Sequence, residues 1–241
     1  IKQASTKITA QRPLAGISFA LNYYFNGLDP LFYHIVNLMI HILTALFLLK
    51  LLLTTLYLTS EKSAPSPAQC SSVGPSADTY WIAFFAVLVW MLSPLQTNAV
   101  TYIMQRMASL AAMFYILSML LYVNGRLKMR RKQVKPAVLY FAGCGVCMAG
   151  AFSSKEISAT LPFAILLYEW FFLQDLRPIP LKWIVIGVLI GGAFTAWVSY
   201  LFLGPKPFRL ILYLYDQYGF TPTQRVLTEL RVLGYYLSLI I

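Results

Sequence analysis

The chain has 241 residues, of which 59% are hydrophobic and only 11% charged, with a formal net charge of +11 and a mean hydropathy of +0.67. Soluble domains are near half apolar with about a quarter of their residues charged, so this composition excludes an ordinary water-soluble globule. Several runs of roughly 17 to 25 apolar residues would each cross about 30 Å of hydrocarbon as a helix. The fold class predicted is all-α, a polytopic transmembrane helix bundle; the 16 Tyr and 5 Trp suit a protein with rings at headgroup level.

Residues 1–31 read as the remnant of an outer loop. The chain opens on Ile1 without a methionine and stops on Ile241 inside an apolar run, which reads as a fragment of a longer protein, and no signal peptide is visible. From 32 to 241 the sequence predicts a helical membrane core of about seven segments. The first is 32–58, followed by a Ser/Pro/Ala-rich loop within 59–79. Further segments cover 80–93, 107–123, 137–152, 157–173 and 183–203, and a seventh begins near 232. Two are short for a full crossing, which predicts tilt or partial insertion. Cys70 falls in the loop. Cys144 and Cys147 form a CxxC inside a membrane run, but with no second pair and only Gly, Ala and Met around them they read as packing residues.

One short connection dominates the orientation. "NGRLKMRRKQVKP" carries Arg126, Lys128, Arg130, Arg131, Lys132 and Lys135, and such a cluster beside a membrane helix marks the cytoplasmic side. It lacks the aromatic interleaving of a nucleic-acid surface; lipid headgroups are its natural partner. Alternation then places 59–79, 124–136 and 174–182 in the cytoplasm. The start of the chain, 94–106, 153–156 and 204–231 face outward. Each outward connection holds a cation near membrane level: Arg12, Arg106, Lys155, and then Lys206 and Arg209. Charge at that depth is expensive and points to function, whereas independent snorkelling to the headgroups is the plainer alternative.

His34, Asn37 and His41 are spaced i, i+3, i+7 and share one face of the first helix. That stripe predicts either a polar cavity or an interhelical hydrogen-bond seam. In "FSSKEISATLP", Ser153 and Glu156 have capping-box spacing. Lys155 sits at the wrong end of a helix dipole, so an anion is expected to compensate it. A lysine beside a helix start can hold phosphate, and Arg106 can add a bidentate fork. Gln105 fits either the same site or a helix cap.

The order "RPLAGISFALNYYFNGLDPLFYHIVNLMIH", "SPLQTNAVTYIMQRMASLAAMFYILSMLLY", "SKEISATLPFAILLYEW" resembles the transmembrane-and-tetratricopeptide-repeat (TMTC-type) protein O-mannosyltransferases and their bacterial relatives, within the GT-C superfamily of polytopic glycosyltransferases. The likeness runs from Arg12 to about Trp170, and more loosely to Ile241. The resemblance implies a membrane enzyme that takes a sugar from a polyprenyl-phosphate carrier and gives it to a protein hydroxyl or other acceptor on the non-cytoplasmic side, in a bacterial inner membrane or the endoplasmic reticulum. It maps substrate-binding roles onto Arg12, His34, Gln105, Arg106, Lys155 and Glu156, with Asn37 and His41 in support. It also implies a catalytic aspartate upstream of Ile1 and tetratricopeptide repeats downstream.

The pattern has departures: Ser93–Pro94 stands where the family has His-Pro, and Asn98 where it has an acidic residue. Two other functions fit the residues. One is a non-catalytic GT-C-like membrane subunit that binds lipid or scaffolds a complex; the other is a lipid flippase or transporter, although no internal repeat is visible. No carboxylate cluster has metal-ligand spacing, so a metal is left unassigned. The sugar-bearing lipid donor is the one cofactor-like molecule implied, and no nucleic acid is expected.

Overall fold

The structure is a computed structural model. It describes residues 12–63, 77–173 and 221–238, and the chain divides into two compact units, Ile1–Gln174 and Asp175–Ile241. Among the described residues every element is helical.

In the first unit, α1 spans Pro13–Asn26. Its start is set by Pro13, whose fixed φ suits a first helical position. It stops at Gly27, whose φ of 59° is a left-handed conformation that costs glycine little. The long α2, Pro30–Ser63, begins on another proline, and the Asp29 side chain accepts the Leu31 N–H at 3.0 Å. At 34 residues it measures about 51 Å, well beyond the hydrocarbon thickness. Helix α3 covers Ala77–Leu92. After it the chain bends by 52° into a 3₁₀ turn at Pro94–Gln96 and the short α4 at Thr97–Thr101, and a second 3₁₀ turn at Ile103–Gln105 follows. Pro94 lacks an N–H and crowds the carbonyl four residues back, which breaks the helix there.

Helix α5, Arg106–Arg130, is antiparallel to α6, Val134–Phe152. Small residues let the two approach closely. A Cβ on Gly125 would sit 3.0 Å from a ring carbon of Phe141, and one on Gly150 would sit 3.2 Å from Phe114. The Ser118 hydroxyl donates to the Cys144 carbonyl at 3.1 Å. Cys144 and Cys147 are buried free thiols in this packing. The last span of the unit is assembled from a 3₁₀ turn at Glu156–Thr160, α7 at Leu161–Tyr168 and a π turn at Glu169–Leu173.

The core has three parts. Ala15, Ile40, Met107 and Leu110 join α1, α2 and α5 at one end. Cys144, Ala151, Leu161 and Ile165 join α6 to α7. Leu51, Leu58, Leu120, Val123, Tyr168 and Leu173 close the opposite end. Side chains pointing away from these clusters, such as Leu139 and Val146, are about three-quarters exposed; such an apolar outer surface suits a hydrocarbon solvent. In the second unit, α8 spans Pro222–Ser238.

The all-α membrane class holds, while the segment count and boundaries differ from expectation. Among the described residues, four helices are long and apolar enough to cross a membrane, or five if α3 and its bent continuation form one broken span. The expected 183–203 segment and the 174–182 loop lie outside the described residues. Helix α2 runs on to Ser63, into the expected loop. Helix α5 continues through Arg126, Lys128 and Arg130, so most of the expected basic loop is helix and only 131–133 connect it to α6. Lysine and arginine are good helix formers, favoured in a last turn by the dipole. Helix α8 begins ten residues before the predicted seventh segment.

Candidate functional site at one end of the bundle

Arg12, Arg106 and the 153–156 turn meet at one end of the first unit, as the charge argument expects. Lys206 and Arg209 lie outside the described residues. The three cations differ sharply in their surroundings.

Arg106 is completely buried. Its Nε donates to the Asn37 Oδ1 at 2.8 Å, its Nη1 to the Ser18 carbonyl at 3.3 Å, and its Nη2 to the Asn22 Oδ1 at 3.0 Å and the Tyr33 carbonyl at 2.9 Å. The guanidinium carbon also lies 4.7 Å from the ring centre of Phe19 and 5.3 Å from that of Tyr33, within cation–π range. Four of five N–H donors are thus engaged by neutral acceptors. This side chain ties α1 and α2 to the start of α5. The fork expected for an incoming phosphate is already occupied by protein.

The His34, Asn37 and His41 stripe faces the broken segment after α3. His41 Nε2 lies 3.1 Å from the Met91 carbonyl, and the Asn37 amide donates to the Val100 carbonyl at 3.4 Å, with His34 Nδ1 at 3.5 Å from the same oxygen. A carbonyl only accepts, so each of these contacts is a hydrogen bond in the tautomer that protonates the facing ring nitrogen. Ser109 adds a 3.2 Å bond to the Ala99 carbonyl. Interrupting a helix at membrane depth frees backbone carbonyls that hydrocarbon cannot satisfy. The stripe supplies the missing donors, which is the seam alternative of the sequence reading. His34, half-buried, is the most open of the three.

Arg12 and Glu156 are brought together from positions 144 apart in sequence. Arg12 Nε and Nη2 donate to the two carboxylate oxygens at 3.1 and 2.9 Å, and Nη1 to the Met107 sulfur at 3.2 Å. Lys155 is adjacent and half-buried. The expected capping box does not form. Ser153 and Ser154 still belong to the end of α6, and their hydroxyls bond back to the Ala149 and Gly150 carbonyls at 2.6 and 2.8 Å. Lys155 itself takes the position before the 3₁₀ turn, in an extended conformation. Gln105 makes no side-chain cap to α5. Ser93 accepts the Leu95 N–H at 3.4 Å, and Asn98 is exposed.

The sequence reading missed Asn22, 5% exposed, whose Nδ2 is buried without a partner. It also missed a polar centre at the other end of the bundle. There Glu169 is paired with Arg126 and accepts the Tyr122 hydroxyl at 3.0 Å. Arg126, expected from the sequence as one of the surface cations, is thus an ion-pair partner inside the bundle. A lone acid in "LLYEWFFL" was the available signal, since an unpaired carboxylate is costly at that depth.

Protein O-mannosyl-transferase Tmtc3 of Drosophila melanogaster is 28% identical over 175 residues, 70% of this chain and 18% of that protein. Human protein O-mannosyl-transferase TMTC2 is 30% identical over 169 residues, covering 69% of the chain and 17% of the relative. Xenopus laevis tmtc2 is 34% identical over 114 residues, 47% of the chain and 11% of its own length. The chain thus spans less than a fifth of the length of these relatives. No family model and no solved structure matches it. The family that the sequence resembles is therefore the family of its curated relatives, the TMTC-type protein O-mannosyl-transferases.

Proposed function

We propose that this chain is the membrane core of a GT-C-type glycosyltransferase that moves a mannosyl group from a polyprenyl-phosphate carrier to a protein hydroxyl. The reaction takes place at the non-cytoplasmic end, periplasmic or lumenal. The observation that carries this reading is the meeting of Arg12 with the Lys155–Glu156 turn, at the end where the polar stripe of α2 holds the broken span.

In this mechanism the acceptor oxygen attacks the anomeric carbon as the bond to the carrier phosphate breaks, and the phosphate leaves with the electron pair. The acceptor proton passes to a general base within hydrogen-bond reach of that oxygen. Arg12 and Lys155 stabilise the charge that grows on the leaving phosphate. Arg106, enclosed, fixes the wall of the site and adds its positive field.

The test uses the full-length protein in proteoliposomes with polyprenyl-phosphate mannose and an acceptor peptide on either side. Lys155→Met is expected to lower kcat/KM by about 10- to 100-fold, the worth of one charged hydrogen bond to a transition-state oxyanion. Transfer is expected only to peptide on the non-cytoplasmic side. Undiminished transfer by the variant, or transfer to the cytoplasmic peptide, rejects the reading.

A further inference from the structure

Arg12 presents its planar fork to a carboxylate in the same two-point manner in which arginines take phosphates. Among the described residues its other contact is the Met107 sulfur at 3.2 Å, a weak acceptor. The two side chains of the pair are 30% and 65% exposed, so water and a competing anion reach both partners, and exposed ion pairs typically hold by no more than about 1 kcal/mol. Charge at this end is also unbalanced among the described residues. Arg12, Arg106 and Lys155 stand against Glu156 and against Asp29, whose carboxylate is engaged at the start of α2.

We propose that Glu156 is a placeholder for the lipid phosphate. Its carboxylate fills the Arg12 fork beside Lys155 when no phosphate is bound, is displaced by an arriving lipid-phosphate head, and competes with the phosphate left after transfer, favouring its release. This rests on the reading of this end as the carrier's phosphate site. The step is an exchange of ion-pair partners, with no bond made or broken. A role confined to stapling α1 to the 153–156 turn makes the opposite prediction, because weakening the staple would loosen the phosphate site.

The experiment titrates the full-length protein, in nanodiscs of neutral lipid, with polyprenyl phosphate, phosphatidate and inorganic phosphate. Glu156→Gln removes the competing charge at nearly constant shape. It is expected to lower the Kd for polyprenyl phosphate by roughly two- to fivefold, the strength of an exposed pair, while Lys155→Met raises the Kd in both the parent and Glu156→Gln backgrounds. Equal tightening for phosphatidate also supports the exchange and assigns the fork to lipid phosphates in general. Tightening for inorganic phosphate alone overturns a lipid head as the displacing group. If the parent binds and Lys155→Met weakens it, yet Glu156→Gln binds equally or more weakly, the placeholder is overturned and the phosphate site stands. If neither parent nor variant binds any of the three, the phosphate site falls as well. A thermal unfolding scan of each variant in the same nanodiscs verifies that the comparison is between folded proteins.

Discussion

Replacing Arg106 with alanine separates two roles for one side chain, phosphate ligand and internal strut. The variant removes four hydrogen bonds from a charged donor and two ring contacts. It leaves the carbonyls of Ser18 and Tyr33 and the amide oxygens of Asn22 and Asn37 without this donor. Hydrogen bonds to charged groups contribute about 1.5–3 kcal/mol each, but these four act as one network and do not add. The acceptors left behind are neutral, and a buried acceptor that loses its donor costs about 1–3 kcal/mol, to which the unfilled volume adds. The expected loss is therefore about 5 kcal/mol, a large part of the roughly 5–15 kcal/mol that typically holds a domain folded. Arg106→Lys keeps the charge but offers fewer donors without a plane, and is expected to lose about half as much. The assay is denaturant unfolding of the full-length protein in detergent, with hydrogen exchange read over 12–26, which should lose protection when the strut to α1 is gone. An Arg106→Ala protein within about 1 kcal/mol of the parent, folded but unable to bind polyprenyl phosphate, would refute the strut and restore the ligand.

Further substitutions probe the packing below the site. Glu169→Gln strands the half-buried Arg126 guanidinium, and its expected cost is about 2–4 kcal/mol in the same unfolding assay. The double replacement Arg126→Met with Glu169→Gln should recover most of that, since no charge is then left to desolvate; a double variant no better than the single rejects the pairing as the cause. In α6, Gly145→Ala meets nothing within 4 Å and should gain up to about 1 kcal/mol from helix propensity. Gly125→Ala, with Phe141 at 3.0 Å, should gain less or lose; equal gains at both positions would show that α5 and α6 are not packed as closely as described.

The helices were legible because apolar length and composition are local properties. Their ends were less so. Ser63 and Arg130 close their helices well past the apolar runs, because polar helix formers continue a helix into the interface without any change of backbone. The capping box failed for a related reason. S-x-x-E spacing says that two residues are able to cap, but Ser153 had already been claimed by the last turn of α6, and which helix owns a serine between two helices is settled by the bend. The stripe of His34, Asn37 and His41 was visible from spacing alone. That it serves the carbonyls of Met91 and Val100 depended on a break 50 to 66 residues away in sequence.

The same limit explains Arg106 and Arg12. Both are arginines at the end of a greasy bundle, and the sequence favours Arg106 as the phosphate ligand because the basic loop puts it on the same side as Arg12 and Lys155, in an order that resembles a glycosyltransferase family. The deciding quantity is what each guanidinium already holds. Arg106 is closed over by neutral oxygens that belong to the fold, so an incoming phosphate would have to dismantle the junction of α1, α2 and α5 to reach it. Arg12 holds a solvent-exposed carboxylate, which a phosphate replaces like for like, with Lys155 beside it to favour the trade. On this physical ground the proposed phosphate-binding role falls to Arg12 and Lys155 rather than Arg106, and Arg106 becomes the tie that holds α1 and α2 to the start of α5.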